Sequence, residues 1–302
     1  MLTDAHFHPC DLAFIYPEAE KERINILSPA GDLGVSAAAS AWDANEFAYN
    51  EELAHRAQLT QRAQLTQRAQ FAHNASLTKD APVLKEPSLF QCFAVHPQLP
   101  SIYSEKGKIY KDSDLSASME FLCKSAEKKK ITAVGEFGFD LFNDSFKETE
   151  KIQEKIFEAH LEAALNYSLP AVLHARRAMH KIFSYAKKLS KCKAVIFHSW
   201  SGTEQEAVSL IQRGVNAYFS FGNIIMLNHK QAKKCCAVIQ AERLLTETDA
   251  PFQPLRGRQY SSCKDLPLIL EAAAALRSEA GNIIMAAELE KQIENNFKSI
   301  FS

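Results

Sequence analysis

A (β/α)8 barrel of the α/β class is the fold this 302-residue sequence predicts, and three observations predict it. Eight short apolar runs recur along the chain, amphipathic stretches of helical period separate them, and several runs end in histidine or a carboxylate. Parallel strands buried on both faces read as unbroken apolar runs, and strands alternating with helices build a parallel sheet. Eight such units favour a closed barrel over an open sheet, and in a barrel the C-terminal ends of all strands open onto one face.

The opening "MLTDAHF" is the first strand. "LGVSAAAS" (33–40), "LFQCFAV" (89–95), "ITAVGE" (131–136), "PAVLH" (170–174), "KAVIFH" (193–198), "VNAYFS" (215–220) and "RLLTETD" (243–249) follow as strands two to eight. Between them, Ile152, Ile156, Phe157, Leu161, Ala164 and Leu165 form one apolar stripe over 151–166, the spacing of a helix packed on a sheet. Similar patterns fall near 115–129, 177–189, 204–213 and 229–240, and a long helical tail is expected from about 265 to 300. Residues 57–68 read "AQLTQR" twice, and "AQ" begins a third copy. A period of six is neither a heptad nor a solenoid repeat. Its residues are good helix formers, so it is expected to be a duplicated stretch of surface helix before a loop over 74–88. An arginine-bearing helix gripping nucleic acid is the sharper alternative. No boundary is visible, so 1–302 is read as one domain with a helical insertion at about 50–88.

Composition narrows the class. Apolar residues make up 46% of the chain, ample for a core, and the formal net charge of −1 argues against generic coating of nucleic acid. There are seven cysteines, an odd number with no C-x-x-C. Free thiols in a reducing cytosol fit better than a disulfide framework, so a cytoplasmic setting is expected. No apolar run is long enough to cross a bilayer, the N-terminus shows no signal peptide, and no obligate protein partner is evident.

The chemistry sits at the strand ends. His6 and His8 lie one residue apart on strand one; residues i and i+2 of a strand share a side, so both imidazoles converge. Strand four ends in Glu136, strand five in His174, strand six in His198 and strand eight in Asp249. Any one of these is equally a hydrogen-bonded core residue. Four histidines and two carboxylates on five otherwise apolar strands are a metal site. Imidazole suits zinc, and the mixed set also admits Mn²⁺ or Mg²⁺. Six ligands exceed the need of one tetrahedral ion; two divalent ions sharing Glu136 account for the surplus. Such a centre activates water for ester or amide hydrolysis, phosphoesters above all.

"TDAHFH", "AVGEFGFD", "LPAVLHAR", "IFHSWSG" and "LTETDAPF" resemble, in order and spacing, the signature blocks of the TatD family of metal-dependent deoxyribonucleases, within the amidohydrolase-like TIM-barrel superfamily. "AVHP" (94–97) and the closing "NNFKSIFS" resemble two further blocks, so the likeness runs end to end apart from about 50–88. The resemblance implies that His6, His8, Glu136 and Asp249 hold one ion, and Glu136, His174 and His198 the other. It also implies that Asp249 orients the attacking water or takes its proton, so Asp249 and Glu136 are the catalytic candidates. Arg176 is read either as a phosphate ligand, since guanidinium matches phosphate bidentately, or as a solvated helix-start arginine. His96 is read as a substrate-side residue near the metals or as a polar turn residue before Pro97. Asp4 and Glu247 are expected to brace the ligands from behind, and Asp249 has the alternative reading of an N-cap on a helix opening "DAP".

The chain departs from the family pattern at Ser199 and Trp200, where Cys-Phe is usual, at Arg177 for Asp, at Ala94 for Gly, and at "QYSSC" for Asn-Glu-Pro. No departure removes a ligand. The expected activity is hydrolysis of phosphodiesters, DNA first, by an exonuclease-type enzyme. The alternatives are an amidohydrolase-like enzyme on a small amide, lactone or phosphotriester, and a retired barrel serving as a binding scaffold.

Overall fold

The computed structural model describes residues 1–19, 35–74 and 88–302, with residues 60–74 as helical backbone alone. Each apolar run forms a strand: β1 (Leu2–Phe7), β2 (Val35–Ala41), β3 (Leu89–Phe93), β4 (Ala133–Asp140), β5 (Ala171–Arg176), β6 (Val195–Phe197), β7 (Ala217–Phe221) and β8 (Leu244–Thr246). They form one parallel sheet in the order β1 to β8, the sequential neighbour order that right-handed βα units impose. The flanking helices are α1 (Pro9–Ile15), α2 (Ala44–Asn74), α3 (Leu99–Glu105), α4 (Asp112–Glu127), α5 (Asp144–Glu148), α6 (Glu150–Asn166), α7 (Met179–Ser184), α8 (Ala186–Leu189), α9 (Glu204–Gln212), α10 (Lys230–Val238), α11 (Leu266–Glu279) and α12 (Ala286–Phe301).

The barrel interior is lined by Ala5, Ala38, Cys92, Ala133, Val172, Ile196, Tyr218 and Leu245, one residue from each strand. Half of them are alanine or cysteine and half are larger, a combination that fills the narrow interior. Phe297, Ile300 and Phe301 of α12 pack into the same cluster and plug that end. Burying one such phenylalanine contributes roughly 1.5–3 kcal/mol.

Between β8 and β1 the wall closes through individual hydrogen bonds. Thr246 Oγ1 donates to the Thr3 carbonyl at 3.0 Å, Asp249 N to the His6 carbonyl at 2.9 Å and His8 N to the Ala250 carbonyl at 2.7 Å. The two chain segments that carry His6, His8 and Asp249 are therefore joined at the ligands themselves.

Three expectations change. β4 does not end at Glu136 but runs to Asp140, and β5 runs past His174 to Arg176. The register between them shifts between Gly135 and Phe137, so Glu136 has no pairing partner on β5. Beyond that bulge Phe137 and Phe139 bury against Phe157 of α6, with ring centroids 5.4 and 4.7 Å apart, and this packing extends the strand. The helical tail is two helices, because Gly281 takes the left-handed conformation (φ +86) that ends α11. The pattern at 177–189 is likewise two short helices, interrupted at Tyr185.

Both copies of the hexamer repeat fall inside α2, whose Phe47, Leu53 and Ala57 are buried. The loop expected over 74–88 lies almost wholly outside the described residues. None of the seven cysteines forms a disulfide, and six of them are buried. No helix among the described residues is long and apolar enough to cross a membrane.

Candidate metal centre

At the C-terminal mouth of the barrel, Glu136 stands between two sets of histidines. Its Oε2 lies 3.1 Å from His6 Nε2 and 3.6 Å from His8 Nε2. The two imidazole nitrogens are 3.1 Å apart, and Asp249 Oδ1 is 3.7 and 3.6 Å from them. The other oxygen, Oε1, lies 2.6 Å from His174 Nδ1, 2.6 Å from His198 Nε2 and 3.4 Å from His96 Nε2. His174 Nδ1 and His198 Nε2 are 3.1 Å apart.

These spacings test whether the residues fit a metal. Four donors each about 2.0–2.1 Å from one ion stand about 3.3 Å from one another in a tetrahedron. The first set spans 3.1 to 3.7 Å, close to that figure. The second is tighter, with two contacts at hydrogen-bond length. Groups able to hold an ion are His6, His8 and Asp249; His6, Glu136 and His198; and His96, Glu136 and His174.

The electrostatics match such a set. Burial pushes the Glu136 carboxyl up, but the charges of His198, His96 and His6 hold it well below the usual carboxylate range. Burial likewise opposes ionisation of Asp249, and His8 beside it, with the charges of His198 and His6, overrides that downward. Burial depresses His8, yet the neighbouring Asp249 and Glu136 carboxylates carry it up to about 10. His6 and His96 are lowered, burial being the largest cause. Two carboxylates thus stay ionised in a buried pocket because imidazoles, or cations in their place, surround them.

Groups behind the ligands fix the rings. Ser40 Oγ meets His6 Nδ1 at 3.1 Å, and Asp140 Oδ2 meets His174 Nε2 at 3.1 Å. Gln98 Nε2 donates to the same Asp140 oxygen at 2.6 Å. A ligand histidine oriented by a carboxylate is more basic and held in one tautomer. Glu247 accepts from Ser199 N at 2.6 Å and faces His198 Nδ1 at 3.6 Å, beyond hydrogen-bond length. Asp4, fully buried, accepts from Thr248 N and Oγ1 at 2.9 and 2.7 Å and from His6 N at 3.3 Å. It therefore ties the backbones of β1 and the β8 exit rather than touching a ligand ring. Ser40, Gln98, Asp140 and Gln253, which donates to Asp249 Oδ2 at 2.7 Å, are the polar neighbours that sequence reading missed. Asp140 alone had a sequence signal: a carboxylate closing an apolar strand, four residues after Glu136.

Asp249 is not a helix cap. Its φ is +53, and the chain turns directly back through a bond from Phe252 N to the Asp249 carbonyl at 2.7 Å, with no helix beginning there. Arg177 (φ +54) and Ser199 (φ +45) share the left-handed conformation just beyond β5 and β6. Such non-glycine residues cost on the order of 1–3 kcal/mol each and gather at functional sites.

A cavity of about 940 Å³ opens here and is lined by His8, Glu136, His174, His198 and Asp249 together with Trp42, Lys106, Phe142, Arg177 and Phe252. His96 sits within it as a neighbour of Glu136 and His174, so it belongs with the possible ligands rather than on the substrate side alone. Arg176 is half exposed at the mouth, 3.9 Å from Asp140.

Against known proteins, residues 3–302 match the profile of the family described as TatD related DNase. The chain is 32% identical over 220 residues to the uncharacterized metal-dependent hydrolase YjjV of Escherichia coli K12, covering 71% of this chain and 77% of that one. It is 32% identical over 184 residues to a 3'-5' ssDNA/RNA exonuclease TatD of Erwinia tasmaniensis, covering 59% and 68%. Among solved structures, the TatD homologue YjjV from E. coli K12 superposes with a TM-score of 0.72 at 24% identity over 99% of this chain and 97% of that one. An amidohydrolase from Saccharomyces cerevisiae superposes at 0.70 with 14% identity over 99% of each chain. At those identities the superpositions speak for the fold.

Proposed function

The chain belongs to the TatD-related DNase family of metal-dependent hydrolases, and on that premise we propose that it cleaves phosphodiester bonds of nucleic acid, working from a chain end, with two divalent ions. His6, His8, Glu136 and Asp249 would hold one ion, and Glu136, His174 and His198 the other, with His96 beside them. The observation that carries this reading is the division of labour in Glu136: one oxygen faces His6 and His8, the other His174 and His198. The name of the Erwinia relative, an exonuclease on single-stranded DNA and RNA, supports the substrate class. We read 1–302 as one catalytic domain, with 50–88 an insertion in the β2–β3 connection. Its cysteines, none of them in a disulfide, support work in a reducing compartment.

Ions at these positions would make water acidic near neutrality and offset charge on the phosphoryl oxygens. The protein's own groups do the rest. Asp249 faces His6 and His8 with Oδ1 and stands where it can accept the proton of the attacking water. Asp140 holds the ring of His174, and Ser40 that of His6. Arg176, at the mouth, presents a planar fork to a phosphate oxygen pair.

The test is metal analysis of the purified protein with nuclease assays on single- and double-stranded DNA in Mg²⁺, Mn²⁺ and Zn²⁺. The double substitution His6→Ala, His8→Ala should remove at least one bound ion and abolish turnover while circular dichroism shows an intact barrel. Full metal content in that variant would refute the assignment.

A further inference from the structure

We propose that Arg177, which with Arg176 packs on the ring of Phe142, forms a second phosphate subsite that takes the phosphate adjoining the scissile one. The inference rests on the phosphodiesterase reading above and deepens it by requiring a substrate with at least two neighbouring phosphates.

Phe142 lies two residues beyond β4, 39% exposed, on the wall of the cavity. The Arg176 guanidinium carbon lies 3.6 Å from its ring centroid and that of Arg177 4.6 Å. One ring therefore carries two guanidiniums. Both cation–π contacts restrain the arginine heads against the ring and reduce the entropy lost when they bind. Arg177 Nη1 also donates to the Phe142 carbonyl at 3.3 Å, and its own backbone is left-handed. A solvated arginine needs neither restraint.

The charges point to the ligand. Arg176 is partly offset by Asp140 at 3.9 Å. Among the described residues Arg177 has no carboxylate within ion-pair distance, and neither has Lys106, which lines the same cavity. The three cations come from the end of β5, the residue after it and the β3–β4 connection, one sector of the mouth. Two forks held by one ring suit a phosphodiester backbone, whose phosphates accept bidentate bonds. A phosphotriester or small amide brings no second anion to this sector; an oligonucleotide does.

Arg177→Asn is the informative variant, because asparagine tolerates the left-handed backbone and removes the charge. Binding of a short fluorescent single-stranded oligonucleotide is read by anisotropy over a range of salt, in an Asp249→Asn background that slows cleavage. Arg177→Asn should weaken binding about tenfold and lower the slope of log K against log salt by about 0.7, the value for one lost phosphate contact on a single strand. An oligonucleotide with an uncharged methylphosphonate next to its terminal phosphodiester should bind both proteins alike. Turnover of bis(p-nitrophenyl) phosphate, which has a single phosphate, should be unchanged by Arg177→Asn alone. An unaltered salt slope, or equal loss on both substrates, would overturn the subsite. Absence of wild-type turnover on either substrate would instead overturn the phosphodiesterase reading, and the binding measurements would still decide the role of Arg177.

Discussion

The two halves of the barrel mouth are built differently. On the β8–β1 side, His6, His8 and Asp249 are buried and held by main-chain bonds that also close the barrel wall. On the β3–β5 side, His96 and His174 are half-buried, and Phe142, Arg176 and Arg177 reach outward. One half is fixed by backbone and lies deep in the cavity; the other reaches out to its rim. The difference separates two tasks. On the function proposed above, the residues that would hold a metal sit where the fold itself would have to open to release them, and those that would meet a substrate sit where they can adjust.

That contrast breaks if the closed half proves tolerant of change. Asp249→Asn keeps the shape and a left-handed backbone but loses charge and basicity, so turnover should fall by at least about 10²-fold, with substrate affinity far less affected. Wild-type turnover with intact metal would remove Asp249 from the chemistry. The open half carries a different liability. His160 of α6 accepts from Val95 N at 3.0 Å, beside His96, and its other ring nitrogen meets the Ile156 carbonyl at 2.8 Å. Burial lowers its pKa to about 4, against the upward pull of that carbonyl. Above about pH 6.5 both native and unfolded forms are neutral and the group contributes no pH dependence. As pH falls from there toward 4, only the unfolded chain takes up the proton, so stability should drop by about 3 kcal/mol. Urea midpoints measured over that range should lose this component in His160→Gln; an identical pH profile in the variant would refute it. The smallest effect expected is at Asp4. Asp4→Asn turns one acceptor of the seam into a donor facing Thr248 and should cost about 1–3 kcal/mol, seen as a lower unfolding midpoint. An unchanged midpoint would show that the seam does not depend on this network.

The sequence made the barrel legible because strands buried on both faces cannot alternate, so each appears as an apolar run. It made the six candidate ligands legible because each is a polar residue at the edge of such a run. What it concealed depends on register. Glu136 reads as the last residue of its strand, but the shift after Gly135 lets β4 continue to Asp140, which reaches His174 through a geometry no spacing rule contains. Ser40 reads as one small residue in the run 36–41 and only pairing shows it facing His6. Gly281 was readable in hindsight, since "AGN" in a helical pattern is a stop signal.

The seam has a consequence for how the protein matures. His6 and Asp249 stand 243 positions apart in the chain, and the bond from Asp249 N to the His6 carbonyl joins them. Contacts of such long range close late, after the loop entropy of the intervening units has been met. During synthesis from the N-terminus, His6 and His8 emerge early and wait for a partner not yet made. An ion held by His6, His8 and Asp249, as proposed above, would be bound tightly only once β8 has docked on β1, and its binding energy would then stabilise the completed ring. On that proposal hydrolytic competence would arrive with closure, and a partly made or frayed barrel would be an inert one.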